Sequence, residues 1–411
     1  MAISDSQIGD WLERNYQPAK LGNIAFKDAP MTAWLPHKED AGGDFLQLRW
    51  KYGNPEGHGV TFAQAKARGD LATLKPAKVV LDYHTYYSYL PIDNTAIERA
   101  RGGGLAATDI FQEGMNGTME AHGDALETFV WSDGYPTLGA IGGISGSTFT
   151  VAAQDIEKWE VGLEIVLAAS RTTGALESSG ASLTVTKVDR SALTITCNAG
   201  IVATIGAATN GDFAFIKSTR IDSAARQCAV GIMGYIPDSV GGSDAFGDTS
   251  LNRSVEPFRL AGARINITSG VSVRQGLVDT LVQWKKYKVK PDALWMSVER
   301  WGELIKECGS NVIYQNIKNE KYGVAIKGVE IVGPDGPIPC MTSPKCPNAN
   351  VYGLKRDSWA IHSVNGALIR PAMRYSKYMD SDSVDGIQMR FRSFYQIGCK
   401  RPWENGLAIF S

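Results

Sequence analysis

The run LAATDIFQEGMNGTMEAHGDALETFVW, Leu105 to Trp131, spaces Phe111, Met115, Met119, Leu126 and Phe129 at intervals of three, four and seven residues. An α-helix repeats every 3.6 residues, so these side chains form one apolar stripe. At 1.5 Å per residue the run predicts a single helix about 40 Å long. Gly114, Gly117 and Gly123 each weaken it by up to about 1 kcal/mol relative to Ala, so packing against the rest of the chain has to hold it. Glu120, Asp124 and Glu127 fall on roughly one face. A solvated or intersubunit charge face explains them better than paired catalytic carboxylates.

Upstream, FLQLRWKY (Phe45–Tyr52) alternates cleanly, with Leu46, Leu48, Trp50 and Tyr52 on one face and Phe45, Gln47, Arg49 and Lys51 on the other. That period of two is a strand. GNPEGHG is a turn or loop, VTFAQAKARGDLATLKPA a polar crossing, and VVLDYHTYYSYL (Val79–Leu90) a returning strand. Its alternation sends Tyr83, Tyr87 and Tyr89 to one face with Val79 and Leu81, and Asp82, His84, Tyr86 and Ser88 to the other. A nine-residue strand spans about 30 Å, and an isolated ribbon is marginal in water, so this one is expected to lie on another surface. If that surface belongs to a neighbouring copy of the chain, Trp50, Tyr52, Tyr83, Tyr87 and Tyr89 are the expected intersubunit contacts, with His84 a hydrogen-bonding group at the interface. On this reading Trp50→Asp leaves the monomer folded and blocks assembly. Residues 1 to about 40 mix Trp11, Tyr16, Phe26 and Trp34 with Pro18, Pro30 and Pro36 and read as an extended arm that needs a partner surface.

Downstream, Thr137 to Ile236 holds none of the chain's 17 prolines. Within it STFTVAA, GLEIVLAAS, ASLTVTKVDR, ALTITCNA and DFAFIKS predict five short strands of a compact antiparallel barrel or sandwich. SVRQGLVDTLVQWKKY then predicts a helix facing inward through Leu277, Leu281 and Trp284. PDALWMS reads as a buried strand, VERWGELIKECG as a helix capped by Ser297 with Gly309 past its end, and YGVAIKGVEIVGPDGPIPCM as a hairpin turning at Pro334, Asp335 and Gly336. Four further strands make the C-terminal half mixed α+β.

Forty-two Lys and Arg against 43 Asp and Glu argue against a generally basic, phosphate-seeking surface. No apolar run approaches the roughly 20 residues that span a bilayer, and no charged start precedes an apolar core as a secretion signal requires, so no membrane partner is expected. The six cysteines lack a CxxC pair and read as buried thiols. Cys340 and Cys346 have no histidine near in sequence to complete a zinc set. His37, His58, His84, His122 and His362 form no metal motif. RGGGLA and IGGISGS lack the lysine of a phosphate cradle, and Ser145 lacks the glycine two residues on that a nucleophile elbow needs. Asp380, Asp382 and Asp385 resemble a calcium loop only until its sixth position, which is Asp385 where glycine belongs, and its twelfth, which is Phe391. KKYKVK (Lys285–Lys290) is read as the cationic end of a helix. Neither catalysis nor a cofactor or metal is expected.

The order of these elements resembles the major capsid protein of tailed bacteriophages, the HK97-like fold. FGDTSLNRSVEPFRLAGARI (Phe246–Ile265), ALWMSVERWGELI (Ala293–Ile305) and KGVEIVGPDGPIPCMTSPKCPNANVYGLKRDSWAI (Lys327–Ile361) are similar to segments of many such proteins. The resemblance implies an N-terminal arm at 1–40, an extended E-loop at 41–92, and a P-domain at 93–137 containing a long spine helix. It further implies an inserted small antiparallel β-barrel-like domain at 138–222, a return to the P-domain at 223–270, an A-domain at 271–375, and C-terminal strands at 376–411 rejoining the P- or A-domain. The implied function is assembly into hexamers and pentamers that close an icosahedral shell around double-stranded DNA, contacted without sequence specificity. Its implied partners are further copies of the chain, a separate scaffolding protein, a portal protein and a decoration or cement protein. Assembly is expected in the host bacterial cytoplasm, with the virion as the final location.

Two other readings carry distinct expectations. A cellular encapsulin-like shell resembles the same fold but is usually shorter and lacks such an insertion. A β-rich carbohydrate-active protein would need two carboxylates roughly 5 to 10 Å apart across a cleft, which residues along one helix do not provide.

Overall fold

A computed structural model describes residues 29–69, 75–93, 106–153, 155–171, 175–217, 219, 226, 228–241, 246, 252–308, 314–318, 325–364, 368–371, 379–380 and 386–410. The arm before Ala29, Gly309, Asp382 and Asp385 lie outside the described residues.

The described chain opens on a short helix, α1 (Pro30–Trp34), with proline in the first turn, where its missing N–H is no loss. Met31, Thr32, Ala33 and Trp34 are buried, and Trp34 meets Trp295 edge-on at 5.6 Å. Trp34 is thus buried within its own chain, where the sequence suggested that the arm needed a partner to cover it. A two-residue strand, β1 (His37–Lys38), follows, and then β2 (Phe45–Gly53) pairs antiparallel with β3 (Lys75–Asp82) as a two-stranded ribbon. Between them lies a helix, α2 (Phe62–Ala67).

The tyrosine-rich stretch divides at Tyr83. Beyond it, β4 (His84–Asp93) leaves the ribbon and pairs antiparallel with a 14-residue strand, β20 (Gly386–Cys399), in a six-stranded sheet. The break inverts which parity faces inward. Val79 and Leu81 are buried in β3, whereas in β4 the even residues His84, Tyr86 and Ser88 turn inward and Thr85, Tyr87 and Tyr89 turn to solvent.

The inward side of β4 is covered by α3 (Ala106–Trp131), whose 26 residues make it about 39 Å long. Met115, Met119, Leu126 and Phe129 are buried along it, as the stripe requires. His122 locks helix to sheet: Nδ1 lies 2.6 Å from Ser88 Oγ on β4 and Nε2 2.7 Å from Ser393 Oγ on β20. Burial lowers its pKa from 6.5 to about 4. Between those values the unfolded chain binds the proton and the folded chain does not, so stability is complete above pH 6.5 and declines as pH falls to 4. The full loss is about 3 kcal/mol. Urea unfolding at pH 7 and pH 4 measures it, and His122→Gln removes most of the difference.

Six strands then close a barrel in the order β10-β5-β6-β9-β8-β7: β5 (Thr137–Ser145), β6 (Thr148–Val151), β7 (Glu164–Ala168), β8 (Leu183–Asp189), β9 (Thr194–Cys197) and β10 (Phe213–Ile216). Each of the five runs read from sequence contains one of these strands. The sixth, β5, is written TLGAIGGIS, and glycine has little strand preference of its own. At Gly139, with φ +122°, a Cβ would sit 2.5 Å from the Asp155 carboxylate, so only glycine fits. Phe149 meets Trp159 at 5.3 Å in the barrel core, with Ile165, Leu183 and Ile195 around them.

The remaining chain builds a seven-stranded sheet, ordered β11-β21-β16-β12-β15-β14-β13. Its elements are β11 (Ala263–Ile267), α4 (Val273–Lys286), β12 (Ala293–Met296), α5 (Val298–Cys308), β13 (Tyr314–Lys318), β14 (Ala325–Gly333), β15 (Gly336–Thr342), β16 (Asn350–Leu354) and, from the end of the chain, β21 (Gly406–Phe410). β17 (Trp359–Ser363), β18 (Arg370–Pro371) and β19 (Met379–Asp380) join β1, β4 and β20 in the other sheet. The sheet therefore draws β11 and β21 from outside residues 271–375.

Helix α4 lays Leu277, Leu281 and Trp284 on the sheet. A Cβ on Gly353 or Gly406 would come within 2.3 Å of the Trp284 ring, which explains both glycines. Ser297 Oγ caps α5 by accepting from Arg300 N at 3.2 Å, and the Glu307 carboxylate accepts from Val273 N and Arg274 N, the free amides at the start of α4. On the opposite sheet face, Trp295 and Tyr352 pack against Trp34 and Trp131, which ties the sheet to α1 and α3.

Candidate assembly surface

The five aromatics singled out in the sequence fall into three environments. Trp50 lies inside the molecule, 1% exposed, stacked on Phe246 at 5.4 Å, with Nε1 donating to the Cys399 carbonyl at 2.8 Å. It packs under its own chain's β20, so it is a core residue and the expected intersubunit role does not hold for it. Alternation identified its face correctly, and that face turns toward the chain's own sheet. The Tyr52 side chain lies outside the described residues. Tyr83 is half-buried, stacked on Phe394 at 5.2 Å. Tyr87 and Tyr89 stand outward, 55% and 48% exposed, opposite Arg392 and Arg390 of β20, which are exposed as well. His84 lies on the inward face, its pKa lowered chiefly by burial.

The far end of the ribbon carries what alternation alone did not reveal. Thr61 Oγ1 accepts from Gln64 N, and Gln64 Oε1 accepts from Thr61 N, both at 3.3 Å, a capping box that starts α2. The signal is readable in the sequence as Thr-x-x-Gln at 61–64, inside the stretch whose composition reads as a polar crossing. Gly59 admits the turn, because a Cβ there would lie 2.7 Å from Ala65 N. This capped helix buries none of its residues, and beside it Val60 and Phe62 are 97% and 84% exposed. Burying one such side chain contributes about 1.5–3 kcal/mol, so the tip is an adhesive surface with none of the described residues of its own chain covering it.

The three carboxylates of α3 do not act as one face. Glu120 is exposed, and Asp124 pairs with the buried Lys345 ammonium at 2.9 Å. Glu127 is fully buried and accepts five hydrogen bonds, from Met31 N (3.2 Å), Thr32 N and Thr32 Oγ1 (2.8 Å each), Trp131 Nε1 (3.2 Å) and Ser343 Oγ (2.7 Å). Burial pushes its pKa up against the pull of those donors. The expectation of a solvated or intersubunit face fails at Glu127 because α1 and the loop after β15 close over this end of the helix. With every lone pair engaged, the carboxylate joins three segments and has no room for a substrate.

Among the described residues no group of three His, Cys, Asp or Glu is placed to hold a metal ion. Cys197, Cys228, Cys340, Cys346 and Cys399 are free and buried, and burial pushes the Cys228 thiol up to about 12, which keeps it protonated and inert. Lys285 pairs with Asp335 across the turn of the β14–β15 hairpin. No described helix is long and apolar enough to cross a membrane.

No family model matches the sequence, and no curated protein matches it. Solved structures do. The capsid asymmetric unit of cyanophage A-1(L) aligns at 10% identity over 93% of this chain and 92% of that one, with a TM-score of 0.47. The holo-SrpI encapsulin complex from Synechococcus elongatus aligns at 6% over 92% and 86%, with a TM-score of 0.45. A structure from Mycobacterium phage Ogopogo aligns at 11% over 94% and 93%, with a TM-score of 0.41. The likeness is loose and nearly full-length.

Proposed function

We propose that this chain is the major capsid protein of a tailed double-stranded DNA bacteriophage, assembling through hexamers and pentamers into an icosahedral head. The observation that carries the reading is the ribbon tip, where a capped helix holds Val60 and Phe62 in water away from the chain's own cores. A lone molecule gains nothing from that arrangement, whereas a shell repeats it at every subunit and covers each tip with a neighbour. Residues 41–92 then serve as the E-loop, α3 as the spine helix of the P-domain, the barrel as an insertion at 138–222, and residues 271–375 as the A-domain. A net charge of −1 suits a container that confines DNA without reading it. A separate scaffold, a portal and a decoration protein are the expected accessory partners.

Replacing Val60 and Phe62 together by Ser tests the reading. Both side chains are already in solvent, so the monomer's melting temperature stays within a few degrees of wild type. Sedimentation shifts from large particles to free subunits or capsomers. Particles of wild-type size and yield from the double variant overturn the role of the tip.

A further inference from the structure

Among the described residues, strand β4 has one free edge. Its partner on one side is β20, and no backbone group from Thr85 to Leu90 bonds to anything else among the described residues. From Thr85 to Ile92 the sequence TYYSYLPI holds no charge. Strands that stay free at a sheet edge are protected by lysines, prolines, inward charges or bulges, and β4 has none of these from Thr85 to Leu90, its one proline being Pro91 near the strand's end. A cavity of about 290 Å³ lies alongside, lined by His84, Thr85, Tyr87, Pro136, Thr219 and Tyr395 among others. The Tyr395 hydroxyl there is buried and has no hydrogen-bond partner among the described residues. An unpaired edge, an adjoining cavity and an orphaned phenol each ask for backbone or acceptor groups that the described residues do not supply.

We infer that the free edge of β4 receives an extended segment of a second copy of this chain as an added strand, with an apolar side chain of that segment filling the cavity. This rests on the shell reading above and extends it to a specific surface. The Arg390 and Arg392 guanidinium groups beside Tyr89 and Tyr87 select a neutral or acidic segment. Such a segment is present in the chain itself: residues 54–60, NPEGHGV, are wholly exposed at the ribbon end and carry one carboxylate, Glu56, and neither lysine nor arginine. Main-chain pairing supplies affinity, and the cavity and the two arginines supply register.

Hydrogen exchange on free subunits and on assembled particles tests the inference. Alternate amides between Thr85 and Leu90, those facing away from β20, slow by at least about tenfold on assembly. Tyr87→Lys with Tyr89→Lys, which alters outward side chains only, abolishes particles and leaves monomer melting unchanged. Particles of Arg390→Glu with Arg392→Glu are lost, and adding Glu56→Arg restores them in part. Wild-type particles whose β4 amides exchange as fast as in free subunits overturn the inference and leave the shell reading standing. A wild-type chain that never assembles overturns the shell reading and, with it, a second copy as the occupant.

Discussion

Trp50→Asp is expected to leave no folded monomer. Truncating a buried tryptophan costs about 3–5 kcal/mol through lost burial and the cavity left behind. A carboxylate in the same place adds several kcal/mol more, because it gives up its hydration at a fully buried position against Phe246 and Tyr235. The sum reaches the whole stability of a typical domain, about 5–15 kcal/mol. The variant should appear in the insoluble fraction and, if refolded, lack near-ultraviolet circular dichroism. Trp50→Phe keeps the ring and loses chiefly the hydrogen bond to the Cys399 carbonyl, a cost of about 1 kcal/mol. A soluble, natively folded Trp50→Asp monomer that only fails to assemble would restore the interface role that the sequence suggested.

Glu127→Ala is expected to cost about 3–5 kcal/mol, as removal of one partner from a buried charged network does. It strands the amides of Met31 and Thr32 and the hydroxyls of Thr32 and Ser343 at once, while the Trp131 indole keeps its 2.9 Å bond to Ser343 Oγ. The loss is directional. Because two of the donors open α1, that helix detaches first, and hydrogen exchange should show residues 31–35 deprotected before α3 or the seven-stranded sheet. Denaturant unfolding gives the magnitude. A midpoint unchanged from wild type would show that the five hydrogen bonds add little. Glu127→Gln keeps the shape and two acceptor lone pairs, so it falls between the two.

Much of the architecture could be read from the sequence because periodicity reports directly on geometry. The α3 stripe, the alternation of β2 and the proline-free β-branched runs each name an element and its inward face. Periodicity does not report what lies against that face. Trp50 and Trp34 were correctly seen as residues needing cover, and the cover comes from β20 and β12 of the same chain, hundreds of residues away in sequence. A single-residue break such as Tyr83 also escapes, since Asp82 to Leu90 alternates without interruption while the strand changes sheets. Glu127 and His122 were hidden for a related reason. On a helix an acidic or imidazole side chain reads as a solvated face, and only the segments that close over it, α1 for one and β4 with β20 for the other, make it buried. β5 was concealed by its glycines, which the barrel requires for close approach. The ribbon tip was marked by its capping box, a local signal that needed the three-dimensional ribbon to give it meaning.

Electron microscopy of the expressed chain, alone and with a candidate scaffolding protein, tests the central claim most directly. The account predicts closed shells tens of nanometres across, built from rings of five and six subunits, with the ribbon tip of each copy lying on a neighbour. A chain that stays monomeric under both conditions, with Val60 and Phe62 in solvent, would contradict it.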